Sequence, residues 1–386
     1  MHSDLIVVGG GATGASLVCA ARGLSITLVS ATRPANDRVA TEEYDSRVYA
    51  LSPGSVSFLR SINVWESIPA HRLTPVRSMR VYGDSEGARI EFDAYRAGVS
   101  ELAWIVEDRE LQAGLWRAMH TQDALEIVPP ARCAALRIDQ AAHLTLEDGR
   151  QLEAKLIVGA DGADSFVRQA AGIVASGKKY AQAAVVANFA CERPHDCRAL
   201  QWFQGGPVLA LLPLPGNHVS MVWSLPEPHA SRLIGLAPEA LAEEVSMASR
   251  RTLGALKIVS PPQLFPLRHL TAERMVLPRL ALVGDAAHVI HPLAGQGLNL
   301  GLQDAHALGE VLVTREPVRD AGDVRMLRRY ERGRGEAILA MRTAVHGLYS
   351  LFNAEGAAAH RLRNSGLNLT DRFAVLKNTL LRHALY

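Results

Sequence analysis

Residues 284–304 read GDAAHVIHPLAGQGLNLGLQD, with His288, His291, Asp285, Asp304 and Asn299 standing among four glycines. These residue types could hold a metal, run acid–base chemistry, or frame a backbone cradle. Two histidines three apart would face one site on a helix, but Pro292 follows directly and the stretch reads as loop. A metal lacks a third ligand nearby. A general base acting on a phenol remains open for His288 or His291, as does simple packing or hydrogen bonding. The cradle reading rests on Gly295, Gln296 and Gly297, which open a helix whose apolar residues include Leu298, Leu302, Ala305 and Leu308. A helix start offers free backbone N–H groups, and Asp285 just before it can accept hydrogen bonds from a polyhydroxyl chain. Asp304 reads as a helix-surface or helix-packing residue.

A second glycine cluster opens the chain: SDLIVVGGGATGASLVCAARGLSITLVS. Residues 5–8 read as a buried parallel strand, small and apolar residues continue as a helix to Arg22, and residues 26–29 are a second strand. Between strand and helix stand Gly9, Gly11 and Gly14 in the GxGxxG spacing of a dinucleotide-binding turn. Gly9 permits the tight turn, Gly11 lets backbone approach a phosphate, and Gly14 lets helix pack on strand. The diphosphate would sit at the helix N-terminus. At the end of the second strand, where Asp or Glu usually meets the ribose hydroxyls, stands Ser30. Serine could bind ribose more weakly, or Ser30 with Arg33 could cradle the 2′-phosphate of NADP. This unit alone leaves both readings open.

Other elements must hold these clusters together. Residues 144–158 alternate, turn at Asp148-Gly149, return over 151–156 and reach an apolar strand at 156–158. Gly159-Ala160-Asp161-Gly162 follows, with Ser165 and Arg168 beyond; it is either a plain strand-to-helix turn or a second loop of the nucleotide groove. Segments 75–106 and 178–225 read as short antiparallel strands, with turn residues at Gly205-Gly206-Pro207 and Pro215-Gly216-Asn217. The expected class is α/β. Residues 1–74, 107–177 and 276–345 would form a discontinuous Rossmann-like domain, interleaved with a mixed or antiparallel substrate-binding sheet at 75–106 and 178–275, before C-terminal helices at 346–386.

The 386 residues carry a net charge of +2, which gives no argument for nucleic-acid binding. Four cysteines form no CxxC pair, so ordinary free thiols are expected. No apolar run reaches the length of a membrane span, and the N-terminus does not read as a signal peptide. A cytoplasmic protein is expected, with peripheral membrane contact left open.

Taken in order, the three glycine-bearing motifs resemble the flavin-dependent aromatic hydroxylases, the single-component FAD monooxygenases. The run HPLAGQGLNLGLQD, residues 46–65 (SRVYALSPGSVSFLRSINVW) and residues 346–353 (HGLYSLFN) look most like the branch that acts in ubiquinone biosynthesis. The resemblance covers nearly the whole chain and implies FAD rather than NADP, because NADP alone would not need a second cradle. It implies that Gly9, Gly11 and Gly14 hold the diphosphate, that Asp285 binds the ribityl hydroxyls, and that Gly295, Gln296, Gly297 and Asn299 sit by the isoalloxazine. Arg47 matches an arginine near the flavin. Asp161 and Arg168 match a motif tied to FAD and reduced nicotinamide. Ser30 departs from the expected acidic residue. The implied reaction is ring hydroxylation of a polyprenylated phenol or quinol by O2, through a flavin hydroperoxide that the protein must shield from water. NAD(P)H would bind transiently as electron donor, and other ubiquinone-biosynthesis proteins are further partners. Alternatives are a hydroxylase of a soluble aromatic metabolite and a non-catalytic flavin-binding assembly subunit; a halogenase is disfavoured, since no Trp-x-Trp stretch occurs. Leu369, Phe373, Leu376 and Leu380 recur at helical spacing, as a terminal helix docked on the body or as an interfacial helix.

Overall fold

Leu5, Ile6 and Val7 are fully buried in strand His2–Val8, so both faces of this strand are covered, as its unbroken apolar run requires. It lies inside an eight-stranded sheet ordered Val276–Leu277, Leu280–Leu282, Gln151–Gly159, His2–Val8, Ile26–Val29 and Leu125–Ile127. The pairings among the last five are parallel. The hairpin of Cys133–Ile138 and Ala142–Leu146 extends from Gln151–Gly159. Where the sequence suggests a return strand and then a separate one at 156–158, a single strand covers both. The computed structural model describes residues 2–31, 43–83, 88–128, 130–290, 297–316 and 318–353, with backbone only at 2, at 342 and from 344 onward. His291, Gly295, Gln296, Arg33 and the segment from 354 on, including the apolar positions at 369–380, lie outside the described residues.

The second sheet has nine strands, in the order His288–Val289, Gln263–Ala272, Ala175–Cys191, His218–Pro226, Val208–Leu214, Arg198–Phe203, Ser78–Tyr82 and Arg89–Asp93, with Leu256–Ile258 paired to Ala175–Cys191. The expected antiparallel pattern has one exception: Arg198–Phe203 runs parallel to Ser78–Tyr82. The chain between them runs through the small sheet and the first sheet, so no hairpin joins these two strands. A three-stranded sheet of Val48–Leu51, Ala103–Glu107 and Thr74–Val76 draws its strands from both sides of the expected boundaries at 74 and 107.

Two helices bring the glycine clusters together. Helix Ala12–Ala20 buries Ala12, Gly14, Ala15, Ser16, Leu17, Val18 and Cys19, almost its whole circumference. It ends before Arg22, whose N–H turns back onto Ala20 O ahead of Gly23 in a left-handed conformation. Helix Gly297–Val313 packs along it through small residues. A Cβ at Gly301 would stand 2.5 Å from Thr13 Oγ1, and one at Gly309 2.7 Å from Ala20 Cβ. Helix Val324–Asn353 packs on helix Gly297–Val313 and strand Val276–Leu277, and its Tyr330 Oη donates to Leu282 O at 2.8 Å. Residues 288–289, expected as loop, instead form a short strand against Leu270 and Thr271. Among the described residues, no helix is long and apolar enough to cross a membrane, and no group of three His, Cys, Asp or Glu side chains is arranged to hold a metal.

Candidate active site

The first glycine turn is fixed by close backbone packing. Gly9 has φ +111°, and a Cβ there would stand 2.2 Å from Ala160 O; a Cβ at Gly14 would stand 2.0 Å from Gly9 O. Strand, turn and helix therefore touch without side chains between them, and the turn leans on the Gly159-Ala160-Asp161-Gly162 loop. Gly11 differs. It is exposed, caps helix Ala12–Ala20 with no side-chain hydrogen bond, and a Cβ added to it would meet nothing within 4 Å. Its N–H-rich helix start faces open space.

That space is part of a cavity of about 750 Å³. Gly11, Ala12 and Thr13 of the first turn, Ala160 and Gly162 of the second, and Asp285, Gly297 and Leu298 of the third all line it. Gly297 likewise has open space beside it. The three motifs, far apart in sequence, thus converge on one cavity that the helix start at Gly11, the Asp285 carboxylate and Gly297 all line. Asp285 is exposed and lines this cavity; desolvation raises its carboxyl above the ordinary range, against the fields of His288, Arg47 and Arg268. Arg47 lines the cavity with its guanidinium 5.3 Å from the Tyr49 ring. Burial pushes the Tyr49 phenol far up, so it stays a neutral donor, and its hydroxyl donates to Asp108 Oδ1 at 3.1 Å. Ser30 lies beside Gly10, 3.1 Å from where a Cβ would stand, and is not among the residues facing this cavity.

Several expected site residues hold the frame. Asn299 is buried; its Oδ1 accepts from Ser52 N–H and its Nδ2 donates to Ala50 O, both at 2.9 Å. It thereby ties strand Val48–Leu51, with Tyr49 and the adjoining Arg47, to the helix that begins at Gly297. Asp161 accepts from Ser165 Oγ at 2.5 Å and from Val167 N–H at 3.1 Å, so its carboxylate starts helix Phe166–Ala170. Arg168 is buried and donates to Ala286 O at 2.9 Å and Ala163 O at 2.8 Å, fastening the second motif to the third.

The expectation of a catalytic His288 meets a different geometry. His288 is buried, does not line the cavity, and binds Asp304 Oδ2 through Nε2 at 2.6 Å. Burial works against its charge, but the Asp304 carboxylate outweighs burial and raises its pKa, and the ring is bound to Asp304 rather than facing the cavity. Asp304, expected at a helix surface or in helix packing, is fully buried; its oxygens also accept from Gly284 N–H at 3.0 Å and Arg334 Nε at 2.7 Å. Burial opposes this carboxylate as well, and the two cations lower its pKa overall. The cluster anchors the turn that presents Asp285.

Sequence reasoning missed Tyr49, Asp108, Gln112, Gln201 and Ser224, all of which face the cavity. They sit in ordinary strand and helix patterns, so only the register of the sheets brings them there. The far wall is largely apolar: Val76, Met79, Phe92, Leu102, Val186 and Phe265 are among its residues.

Residues 2–344 match the model of a family described as FAD binding domain. The chain is 35% identical to the 3-demethoxyubiquinol 3-hydroxylase of Escherichia coli K12 over 388 residues, covering 99% of this chain and 98% of that protein. It is 33% identical to the ubiquinone hydroxylase UbiL of Rhodospirillum rubrum, covering 99% and 89%. Among solved structures, P. aeruginosa PqsL in complex with 2-aminobenzoylacetate shares the fold, with TM-score 0.79, 24% identity, and 96% of this chain and 100% of that chain covered. The open helix start at Gly11, with Asp285 and Gly297 lining the same cavity, fits an elongated cofactor carrying a diphosphate, a polyhydroxyl chain and a flat ring. The chain belongs to the FAD-binding monooxygenase family and, within it, to the ubiquinone-biosynthesis hydroxylases.

Proposed function

We propose that this enzyme hydroxylates the aromatic ring of a polyprenylated phenol or quinol, with O2 as oxygen source and NAD(P)H as transient electron donor. The carrying observation is a single cavity that begins at the glycine turns and continues over an apolar sheet face. FAD, when bound, supplies the redox chemistry that reduces O2 and passes one oxygen atom to the ring. The protein's own part is to bind, aim and exclude water. Gly11 and the helix behind it would receive the diphosphate, Asp285 would accept from the ribityl hydroxyls, and Gly297 would lie against the ring system. The apolar walls would keep water from the reacting atoms. Segments 1–74, 107–177 and 276–345 would serve the cofactor, and 75–106 with 178–275 the substrate.

The test begins with purified protein reconstituted with FAD, followed by quinone profiling in a deletion strain. The expected results are flavin absorbance, accumulation of an under-hydroxylated prenylated intermediate, and substrate-stimulated oxygen uptake. A protein that cannot be loaded with FAD overturns the reading, and flavin binding without substrate-stimulated uptake favours a non-catalytic subunit. The lipid solubility of the substrate extends the proposal to a peripheral membrane contact, measured by co-sedimentation of the full chain with liposomes. Contact with other proteins of the same route is tested by co-purification.

A further inference from the structure

Side chains along a strand alternate between the two faces of a sheet. On strand His218–Pro226, Trp223 and Leu225 pack into the core on the far side of the nine-stranded sheet, so Val222 and Ser224 turn the other way, into the cavity. The register sets Ser224 opposite Val208 on one neighbouring strand and opposite Ala184 on the other, with Phe265 beyond Ala184. All four line the cavity. This row is low in the middle, where Ser224 and Ala184 stand side by side, and high at its ends, where Val208 and Phe265 rise. The end strands lie three strand spacings apart, roughly 14 Å, which leaves a notch that admits one flat ring. Ser224 is 5% exposed. Its hydroxyl has no hydrogen-bond partner among the described residues, whereas Gln201 on the same wall already has one. A hydroxyl held in an apolar wall with nothing to bond is costly, and a few such groups orient a ligand in an otherwise apolar pocket.

We infer that the Ser224 hydroxyl bonds an oxygen substituent of the substrate ring and so fixes how the ring lies in the notch; this rests on the function proposed above. A polyprenylated phenol or quinol carries its hydrogen-bonding groups on the ring, and its tail has none to offer. A serine hydroxyl has one donor and two acceptor positions, so it can donate to a ring oxygen or accept from a phenol. The other three members of the row are apolar and offer no competing bond. A ring turned by one position would set carbon against the hydroxyl and leave it unpaired. Because one oxygen atom is passed to one ring carbon, the turn of the ring decides which carbon receives it.

The experiment uses full-length, FAD-loaded enzyme and two short-tailed probes, a prenylated phenol and the same compound without its hydroxyl. Flavin spectral perturbation gives Kd for each, and hydroxylated product per NAD(P)H oxidised gives coupling. Wild type is expected to bind the phenol about three- to tenfold more tightly. Ser224→Ala is expected to weaken phenol binding by the same factor and leave the other probe unchanged. It should also raise KM more than it lowers kcat and reduce coupling, with flavin content unchanged. Ser224→Cys, nearly the same size but a weak donor, is expected to do the same and takes its place if the alanine variant does not load flavin. A wild type that binds both probes alike, or a flavin-loaded variant that keeps the preference, overturns the assignment alone. A wild type that binds neither probe and forms no product removes the proposed substrate class, and the assignment falls with it.

Discussion

Asp304 carries three hydrogen bonds from its buried position: from a backbone N–H, from a histidine and from an arginine. Its removal leaves His288 and the Arg334 guanidinium buried without their carboxylate partner. Asp304→Ala is therefore expected to cost about 3–5 kcal/mol in urea unfolding and to weaken FAD retention by loosening the Gly284-Asp285 turn. The pH dependence has a definite sign. The folded pKa of His288 lies above its ordinary 6.5, so its stabilisation is whole below 6.5 and is lost as pH rises through the raised value. Asp304 lies below its ordinary 3.8, so its share is present above 3.8 and disappears only as pH falls through the lowered value. The stability gap between wild type and His288→Gln should be widest near pH 6 and narrow on the alkaline side; a gap that stays constant over that range would contradict the charged pairing. None of this was legible in the sequence. Asp304 and Arg334 are thirty positions apart, and Arg334 lies in the run RRYERGRGE, which reads as a solvated charged face. Gly9 and Gly14 were legible because close backbone approach demands glycine, and that demand leaves a fixed spacing.

At the scale of elements, strand Val48–Leu51 is held from outside its own sheet by Asn299. Asn299→Ala strands Ser52 N–H and Ala50 O in a buried setting, with an expected loss of about 1–3 kcal/mol and a matching drop in FAD affinity by titration. Helices Ala12–Ala20 and Gly297–Val313 meet at Thr13 and Gly301, where a methyl would already stand 2.5 Å from Thr13 Oγ1. Gly301→Val should push the two helix starts apart, lowering Tm by several degrees and reducing flavin content in purified protein. Unchanged Tm and flavin would mean that the contact yields freely. The opening strand–helix–strand unit could be read from a short window, because apolar runs and glycines are local signals. The three-stranded sheet could not: its strands begin at 48, 74 and 103 and pair in the order first, third, second.

For the whole molecule, the two large sheets alternate along the chain, and the small sheet draws strands from both sides of their sequence boundary. The small sheet's strands at 48–51, 74–76 and 103–107 join segments on both sides of the expected boundaries at 74 and 107. Thermal unfolding followed by backbone circular dichroism and by flavin release should give coincident midpoints; two separated transitions would mean that the sheets melt independently. Strand Leu280–Leu282 sets next to Gln151–Gly159, which sets next to His2–Val8. During synthesis, the glycine turn at Gly9 therefore waits for residues near Asp285 before its cavity has a second wall. At roughly 5–20 residues per second, that interval is on the order of tens of seconds. A ribosome stalled before the third motif should leave a chain that cannot enclose the cofactor, so flavin uptake is expected only after about three quarters of the 386 residues have emerged.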